Sequence, residues 1–265
     1  MSYRFLKGHG TENDFVVLPD PDGSVHGDAD GEMAAERVRA LCDRRAGIGG
    51  DGVLRAVRRD GGWFMDYRNS DGSTSEMCGN GVRVFARYLH EHEGEPFPIE
   101  VGTRAGTKVL DRAGAGFTAD MGAPALLGET AVSVGDRTWA AQHVSMGNPH
   151  AVAFVDDLED AGDLLAPPRH DPAVYPDGVN VEFVVRRGPR HVAMRVHERG
   201  SGETRSCGTG ACAVAVAAAL LDDAPRGTTY RVDVPGGTLH VEWTADDRVL
   251  LTGPAVLVAE GTTDL

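Results

Sequence analysis

An α+β protein of two similar lobes is what this sequence predicts, and three observations carry the expectation. Short strand-like runs bounded by Gly, Pro, Asn and Asp recur along the whole chain. Each half carries one apolar run of helical character, Val82 to Leu89 in the first and Ala211 to Leu221 in the second. The features of the first half return in the second in the same order and at nearly the same spacing. Many short strands with one buried helix per half make an α+β architecture.

The bulk numbers set the bounds. A chain of 265 residues suits one domain or two of about 130. An apolar content of 41% and a charged content of 25% are ordinary for a globular protein. A formal charge of −14 argues against nucleic acid or an anionic membrane as partner. A small anionic substrate stays open, because a helix N-terminus attracts anions locally. The N-terminus MSYRFLKGHGTENDF has no apolar h-region, so no secretory signal is expected and the cytoplasm is the expected compartment. Cys42, Cys78, Cys207 and Cys212 form no C-x-x-C pair, which argues against a disulfide framework or a metal site.

In chain order, a first strand at Phe5-Leu6 leads to a turn closed by Asn13-Asp14 and a buried strand Phe15 to Leu18. Residues 20–31 read as an acidic loop. Ala34, Val38, Leu41 and Cys42 mark an amphipathic helix within Glu32 to Arg45. Gly47-Ile-Gly49-Gly-Asp-Gly52 matches G-x-G-x-x-G letter for letter. A dinucleotide site needs a strand before that motif and a helix after it, and here the order is reversed, so a turn is expected. Strands follow at 53–57, 63–67, 99–103, 108–110 and 117–121; the pattern weakens over 123–130 and resumes at 131–134. The lobes are therefore expected at 1–125, completed by the C-terminal strand 255–265, and at 126–254. The tail strands are expected at 230–234, 238–243, 249–252 and 255–259.

The repeat is sharpest at two Gly-rich turns. The first runs from Asn69 to Cys78-Gly79-Asn80-Gly81, the second from Glu198-Arg199 to Cys207-Gly208-Thr209-Gly210. Each follows a strand and precedes an apolar helix. Asn69 lies nine residues before Cys78, and Glu198 nine before Cys207. A cysteine placed there sits at a helix N-terminus, where unpaired N–H groups and the dipole favour a thiolate. A single cysteine in such a chain would more often be packed, but the same polar entry at both sites points to chemistry. Cys42 and Cys212 lack that entry and are assigned to packing.

Lobes related by duplication would bring both helix N-termini to a shared cleft. A carboxylate there would be gripped by the N–H groups of Gly79 and Asn80 on one side and of Gly208 and Thr209 on the other. The same donors would stabilise the enolate-like charge that forms as an α-proton leaves. One thiolate would remove the proton while the opposite thiol returns one to the other face, inverting the carbon without a cofactor.

The stretch Asn69-x-Asp71-Gly72-Ser73-x4-Cys78-Gly79-Asn80-Gly81-x-Arg83 resembles the signature of the diaminopimelate epimerases. Asn13-Asp14-Phe15, Gly47-Ile-Gly49, Gly147-Asn148-Pro149-His150, Asn180, Glu198-Arg199 and Cys207-Gly208-Thr209-Gly210 match too, in the family's order. The resemblance implies interconversion of L,L- and meso-2,6-diaminoheptanedioate on the route to lysine and peptidoglycan. It also implies lobes of strands wrapped around a central helix, an active site in the cleft between them, no cofactor and a homodimer. It assigns Cys78 and Cys207 as the catalytic pair and His150 and Glu198 as groups that help the thiols exchange protons. Asn13, Asn148 and Glu198 would line the reacting centre, while Asn69, Asn180 and Arg199 would hold the distal head of the substrate. The family's usual Gly is Glu12 here, and its frequent Gln is Gly52. Tyr67 and Glu76 are assigned to structure.

Other functions weighed against this one are a racemase of another amino acid, a protein that binds an anion without turnover, and a thiol–disulfide switch. Retention of Asn69, Asn180 and Arg199 favours a substrate with a second amino-acid head. Binding that survives loss of both cysteines would mark the second alternative, and peroxide inactivation reversed by a thiol reductant is expected if the sulfurs face each other.

Overall fold

The chain folds into two units, Met1–Ala119 with Pro254–Leu265, and Asp120–Gly253. The structure, a computed structural model, describes residues 2–27 and 31–265; the part of the acidic loop at 28–30 lies outside the described residues.

The first unit begins with β1 (Tyr3–Gly10) and β2 (Asn13–Pro19), joined by the two-residue turn Thr11-Glu12. Both turn residues lie in the left-handed region, at φ 48° and 63°. A two-residue hairpin turn of this kind matches the twist of its strands but suits Gly or Asn far better than Thr or Glu. Helix α1 (Ala35–Cys42) covers one face of β2 and of β3 (Gly52–Arg59), burying Val38, Leu41 and Cys42 against Val16, Leu18 and Val53. Next come β4 (Gly62–Asn69), α2 (Gly79–His92), β5 (Ile99–Thr103), β6 (Gly106–Ala113) and β7 (Gly116–Asp120).

The second unit runs β8 (Ala125–Val134), β9 (Arg137–Ser145), β10 (Pro149–Phe154), a 3-10 turn at Leu158–Ala161, β11 (Arg169–His170), β12 (Asn180–Gly188), β13 (His191–Glu198) and β14 (Gly202–Thr204). Helix α3 (Gly208–Leu221) and strands β15 (Thr228–Val234), β16 (Gly237–Trp243) and β17 (Val249–Gly253) complete it. The chain then returns to the first unit as β18 (Val256–Thr263), which pairs antiparallel with β1.

The two units share one pairing scheme. In the first, the order β18-β1-β2-β3-β4-β5-β6-β7 is antiparallel at every junction except β2–β3 and β4–β5, which are parallel. In the second, β8-β9-β10-β12-β13-β15-β16-β17 repeats this, with β10–β12 and β13–β15 parallel. The registers agree as well. Phe15 pairs with Gly52 and Gly52 with Asn69; correspondingly, His150 pairs with Asn180, and Val181 with His197, which sets Asn180 opposite Glu198. The curled sheet of each unit wraps its own helix: α2 touches β18 and β1 through β5, and α3 touches β9, β10, β12, β15, β16 and β17.

Both helices are nearly engulfed. Val82, Phe85, Ala86 and Leu89 of α2 are buried, and in α3 every residue from Ala211 to Ala219 is buried. A helix apolar on all sides belongs inside a core, and its many Ala residues let the strands approach closely. No helix among the described residues is long and apolar enough to cross a membrane.

Several elements differ from the sequence expectation, among them β9, where no strand was expected, and β18, which runs four residues further. Most of the weak region at 123–130 belongs to a ten-residue strand, β8, whose first five residues are all exposed. With neither face buried it has no hydrophobic alternation to read, and a register shift between Leu126 and Glu129 blurs it further. Likewise β6 extends over Gly106–Ala113 because its flanking residues are polar and exposed. The helix expected over 32–45 is shorter, since the N–H groups of Ile48 and Gly49 fold back onto the Leu41 carbonyl and close it.

The glycines of the G-x-G-x-x-G match are explained by that fold-back. A Cβ on Gly47 would meet the Ala40 carbonyl at 2.1 Å, and Gly49 has φ 80°. The motif joins α1 to β3, so it lacks the strand-then-helix setting of a dinucleotide site.

Candidate active site

Cys78 and Cys207 occupy the same structural position in the two units. Each is the N-cap of a fourteen-residue helix, with extended backbone at φ −136° and −119°. Each sulfur accepts the N–H three residues on, from Gly81 and Gly210, both at 3.4 Å. A cap of this kind aims the sulfur at the positive end of the helix, where it satisfies one of the orphan donors. Sequence determines this locally, because the Gly-x-Gly that follows leaves room for the sulfur over the first turn.

Around Cys78 the neighbours are amides. Its sulfur lies 3.5 Å from Asn13 Oδ1, which also accepts from Asn80 Nδ2 at 3.2 Å. Asn13 Nδ2 donates to Asp51 at 2.7 Å, and Arg44 pairs with both Asp51 and Asp14. Burial pushes the Asp51 carboxyl up, whereas Arg44 and Lys7 hold Asp14 well below the usual carboxylate range despite its own burial. The Asn80 side chain is buried and also accepts from Arg83 at 2.9 Å, so Arg83 locks the first turn of α2 from within.

Around Cys207 the neighbours are acids. The charge of Glu198, whose carboxylate accepts from Thr204 Oγ1, acts on its thiol. Thr209 Oγ1 lies 3.5 Å from the sulfur and accepts from Asn148 Nδ2 at 3.3 Å. Asn148 Oδ1 faces His150 Nε2 at 3.1 Å, and His150 Nδ1 faces Glu182 Oε1 at 2.7 Å. His150 and Glu182 are completely buried. Burial first, then the charges of Glu198 and Glu182, push the Cys207 thiol well above the ordinary thiol range; Thr209 and the Gly210 N–H oppose them. The helix terminus alone favours a thiolate, but desolvation beside two carboxylates outweighs it here. Burial also raises Glu198, reinforced by the charge of Glu182.

The residues expected at the distal head are placed on turns and strand ends. Asn69 Nδ2 donates to Ser73 Oγ at 3.0 Å within the first Gly-rich turn. Asn180 is buried; its Nδ2 donates to the Pro149 carbonyl at 3.0 Å and its Oδ1 accepts the Arg199 N–H at 2.9 Å. Arg199 is exposed and its stem lies against Gly178, whose φ of 82° and missing Cβ admit it. Gly79 and Gly208, both buried, open the two helices, and half-buried Thr209 follows Gly208. The second unit thus joins Asn148, His150, Glu198, Cys207 and Thr209, and the first joins Asn13, Cys78 and Asn80.

Sequence reading missed Glu182 and Asp51. The signal for Glu182 is in the repeat: Gly52-x-Leu54 and Asn180-x-Glu182 are register equivalents, so an acid stands mid-strand where the other copy has leucine. Cys42 and Cys212 are buried in the core, with burial pushing Cys42 up to about 11. At Gly52 a Cβ would come within 2.7 Å of the Tyr67 ring and 2.5 Å of the Arg68 carbonyl, so this chain has no room there for the family's glutamine without a shift.

The profile of the family described as diaminopimelate epimerase matches residues 5–127 and 142–258. A diaminopimelate epimerase of Streptomyces coelicolor is 60% identical over 283 residues, covering 98% of this chain and 95% of the relative. One of Rhodococcus jostii is 46% identical over 290 residues, covering 98% and 96%. Among solved structures, a phenazine biosynthesis protein of Bacillus anthracis superposes with a TM-score of 0.73 at 16% identity over 100% of both chains. A hydroxyproline epimerase of Agrobacterium vitis gives 0.67 at 14% identity, covering 99% of this chain and 92% of the other. At such identities the likeness concerns the fold, two pseudo-symmetric halves rich in strands.

Proposed function

The chain belongs to the diaminopimelate epimerase family, and on that premise we propose that Cys78 and Cys207 are its two acid/base thiols. The enzyme is an isomerase that interconverts L,L- and meso-diaminopimelate in lysine biosynthesis. The observation that carries the proposal is the shared N-cap position of the two cysteines, each with its sulfur 3.4 Å from the N–H three residues on.

Inversion at the α-carbon needs a base on one face and an acid on the other. Cys207, held as a thiol by burial and by Glu198 and Glu182, is suited to deliver a proton. Cys78, whose sulfur lies 3.5 Å from the Asn13 amide oxygen, is suited to remove one. The N–H groups of Gly79, Asn80, Gly208 and Thr209 bind the α-carboxylate and take up the charge that spreads onto it as the proton leaves. Asn13 and Asn148 orient the reacting centre. His150 and Glu198 help recharge the thiols, Glu198 as the carboxylate whose charge acts on Cys207.

Arg199 pairs with the distal carboxylate, while Asn69 and Asn180 accept from the distal ammonium, whose second amino-acid head sets diaminopimelate apart from simple amino acids. The Asn180 oxygen already takes the Arg199 N–H and retains a second lone pair for this. Chemistry of this kind requires no cofactor. The working form in this reading is a cytoplasmic homodimer without nucleic-acid or membrane partners, in keeping with a formal charge of −14.

A panel of L-amino acids and diaminopimelate in deuterium oxide tests the reading. α-Proton exchange is expected with diaminopimelate alone, and Cys78→Ala and Cys207→Ala are each expected to cut kcat by about 10²–10⁴-fold. Exchange of a different amino acid instead would replace the substrate assignment, and near-normal turnover in either variant would remove the two-thiol mechanism.

A further inference from the structure

We infer that Glu182 is a positioning residue for the Cys207 thiol, acting through His150, Asn148 and Thr209. The inference rests on the reading of Cys207 as a catalytic thiol.

The chain of contacts is continuous and lies within one unit. Glu182 Oε1 meets His150 Nδ1 at 2.7 Å, His150 Nε2 meets Asn148 Oδ1 at 3.1 Å, Asn148 Nδ2 meets Thr209 Oγ1 at 3.3 Å, and Thr209 Oγ1 meets Cys207 Sγ at 3.5 Å. The imidazole is held at both ring nitrogens, by the Asn148 amide oxygen at Nε2 and the Glu182 carboxyl at Nδ1, which fixes the ring plane. A fixed ring fixes the Asn148 amide, and through it the hydroxyl that borders the sulfur.

The internal repeat separates this from a purely structural role. The first unit builds the same parallel strand pair, in the same register, with Phe15 where the second has His150 and Leu54 where it has Glu182. The helix glycines report the same equivalence independently. A Cβ on Gly81 would meet Leu54 Cδ2 at 3.2 Å, and one on Gly210 would meet Glu182 Oε1 at 2.7 Å. An apolar pair therefore suffices for the fold at this position. The second unit instead buries an imidazole and a carboxylate completely, and leaves Glu182 Oε2 without a hydrogen bond among the described residues. Such burial costs stability that a leucine would not. Gly210, the last residue of the Cys207-Gly-Thr-Gly turn, is what admits the carboxylate so close to the helix.

Glu182 also contributes charge. The groups acting on Cys207 are Glu198 and Glu182, opposed by Thr209 and the Gly210 N–H, while His150 acts on Glu198. Removing the negative charge of Glu182 moves the thiol to lower pH.

The test compares Glu182→Gln, Glu182→Leu and Cys207→Ala in both reaction directions, measuring kcat, KM and pH profiles. Glu182→Gln keeps the shape, and Glu182→Leu installs the residue that the first unit carries, so the fold has a precedent for it. Each is expected to lose about 10- to 100-fold in kcat, the scale of a small misplacement at a reacting centre, with KM within about two-fold. The alkaline limb in the direction that uses Cys207 as acid is expected at lower pH than in the parent enzyme. A Glu182→Gln enzyme with parental kcat and an unmoved limb, beside an inactive Cys207→Ala, overturns the role of Glu182 alone. An active Cys207→Ala overturns the thiol reading beneath it.

Discussion

Gly210→Ala sets two physical effects against each other and shows which one governs the second cysteine turn. In an ordinary helix interior the change gains about 1 kcal/mol, because alanine loses less backbone freedom than glycine. Here the new Cβ would lie 2.7 Å from Glu182 Oε1, 3.2 Å from Cys207 Cβ and 3.3 Å from its sulfur. Overpacking of a tight core costs about 1–3 kcal/mol, so the net expectation is a loss of up to about 2 kcal/mol. For a chain of this size that is a fall in Tm of a few degrees, at about 2–4 °C per kcal/mol. The activity loss is larger, about 100-fold in kcat, because the atoms displaced are the sulfur and the carboxylate beside it. Gly81→Ala is the internal control for stability. Its Cβ would meet only Leu54 Cδ2 at 3.2 Å, Cys78 Cβ at 3.4 Å and the Phe15 ring at 3.4 Å, contacts that a few tenths of an ångström relieve. Its Tm is expected at or above that of the parent. Differential scanning calorimetry and a coupled epimerisation assay read both quantities. If Gly210→Ala melts no lower than Gly81→Ala and keeps parental kcat, close approach of Glu182 to α3 does not matter and the reasoning fails.

Three further outcomes are expected. Glu12→Gly relieves a left-handed residue at φ 63° in the β1–β2 turn and should stabilise by about 0.5–1 kcal/mol after the extra entropy of an unfolded glycine is subtracted, seen as a higher urea midpoint; a lower midpoint would contradict the strain. Arg55 is fully buried with Asp20 at 2.8 Å and Asp66 at 3.6 Å, both also fully buried. Arg55→Met leaves Asp66 its pairs with Arg68 and Arg104 but takes from buried Asp20 its ion-pair partner, and should cost about 3–5 kcal/mol in denaturant unfolding, whereas a loss below about 1 kcal/mol would mean Asp20 is solvated. Glu198 is pushed up by burial, so the folded state binds its proton more tightly than the unfolded chain, and its contribution to stability is present at low pH and lost as pH rises through the folded value. Glu198→Gln should therefore melt higher than the parent at pH 8 and converge with it near pH 4, at the expense of activity; parallel melting curves at all pH values would show that Glu198 is solvated.

How much of this was legible in the sequence depends on how local each cause is. Helix α2 was readable because Val82, Phe85, Ala86 and Leu89 mark a stripe, and α3 because its residues are apolar throughout. Strand β8 was half-hidden because its first residues face solvent on both sides, so burial imposed no period on them. The N-cap role of Cys78 and Cys207 follows from a Gly-x-Gly turn ahead of a helix, a device contained in a dozen residues. The repeat itself was visible as spacing, but its strand register, and with it the equivalence of Leu54 and Glu182, needed the pairing of strands far apart in the chain.

Sequence by itself determined that two cysteines begin two buried helices, because capping and helix formation are decided by neighbours along the chain. It also carried the family, since the residues of its signature sit in short motifs. Only the tertiary structure decided that the two thiols live in different surroundings. Cys78 lies among the amides of Asn13 and Asn80, and Cys207 lies against Glu198 in reach of Glu182. The physical reason is that desolvation and charge act through space: Glu182 reaches His150 and the sulfur only because β10, β12 and α3 are packed together.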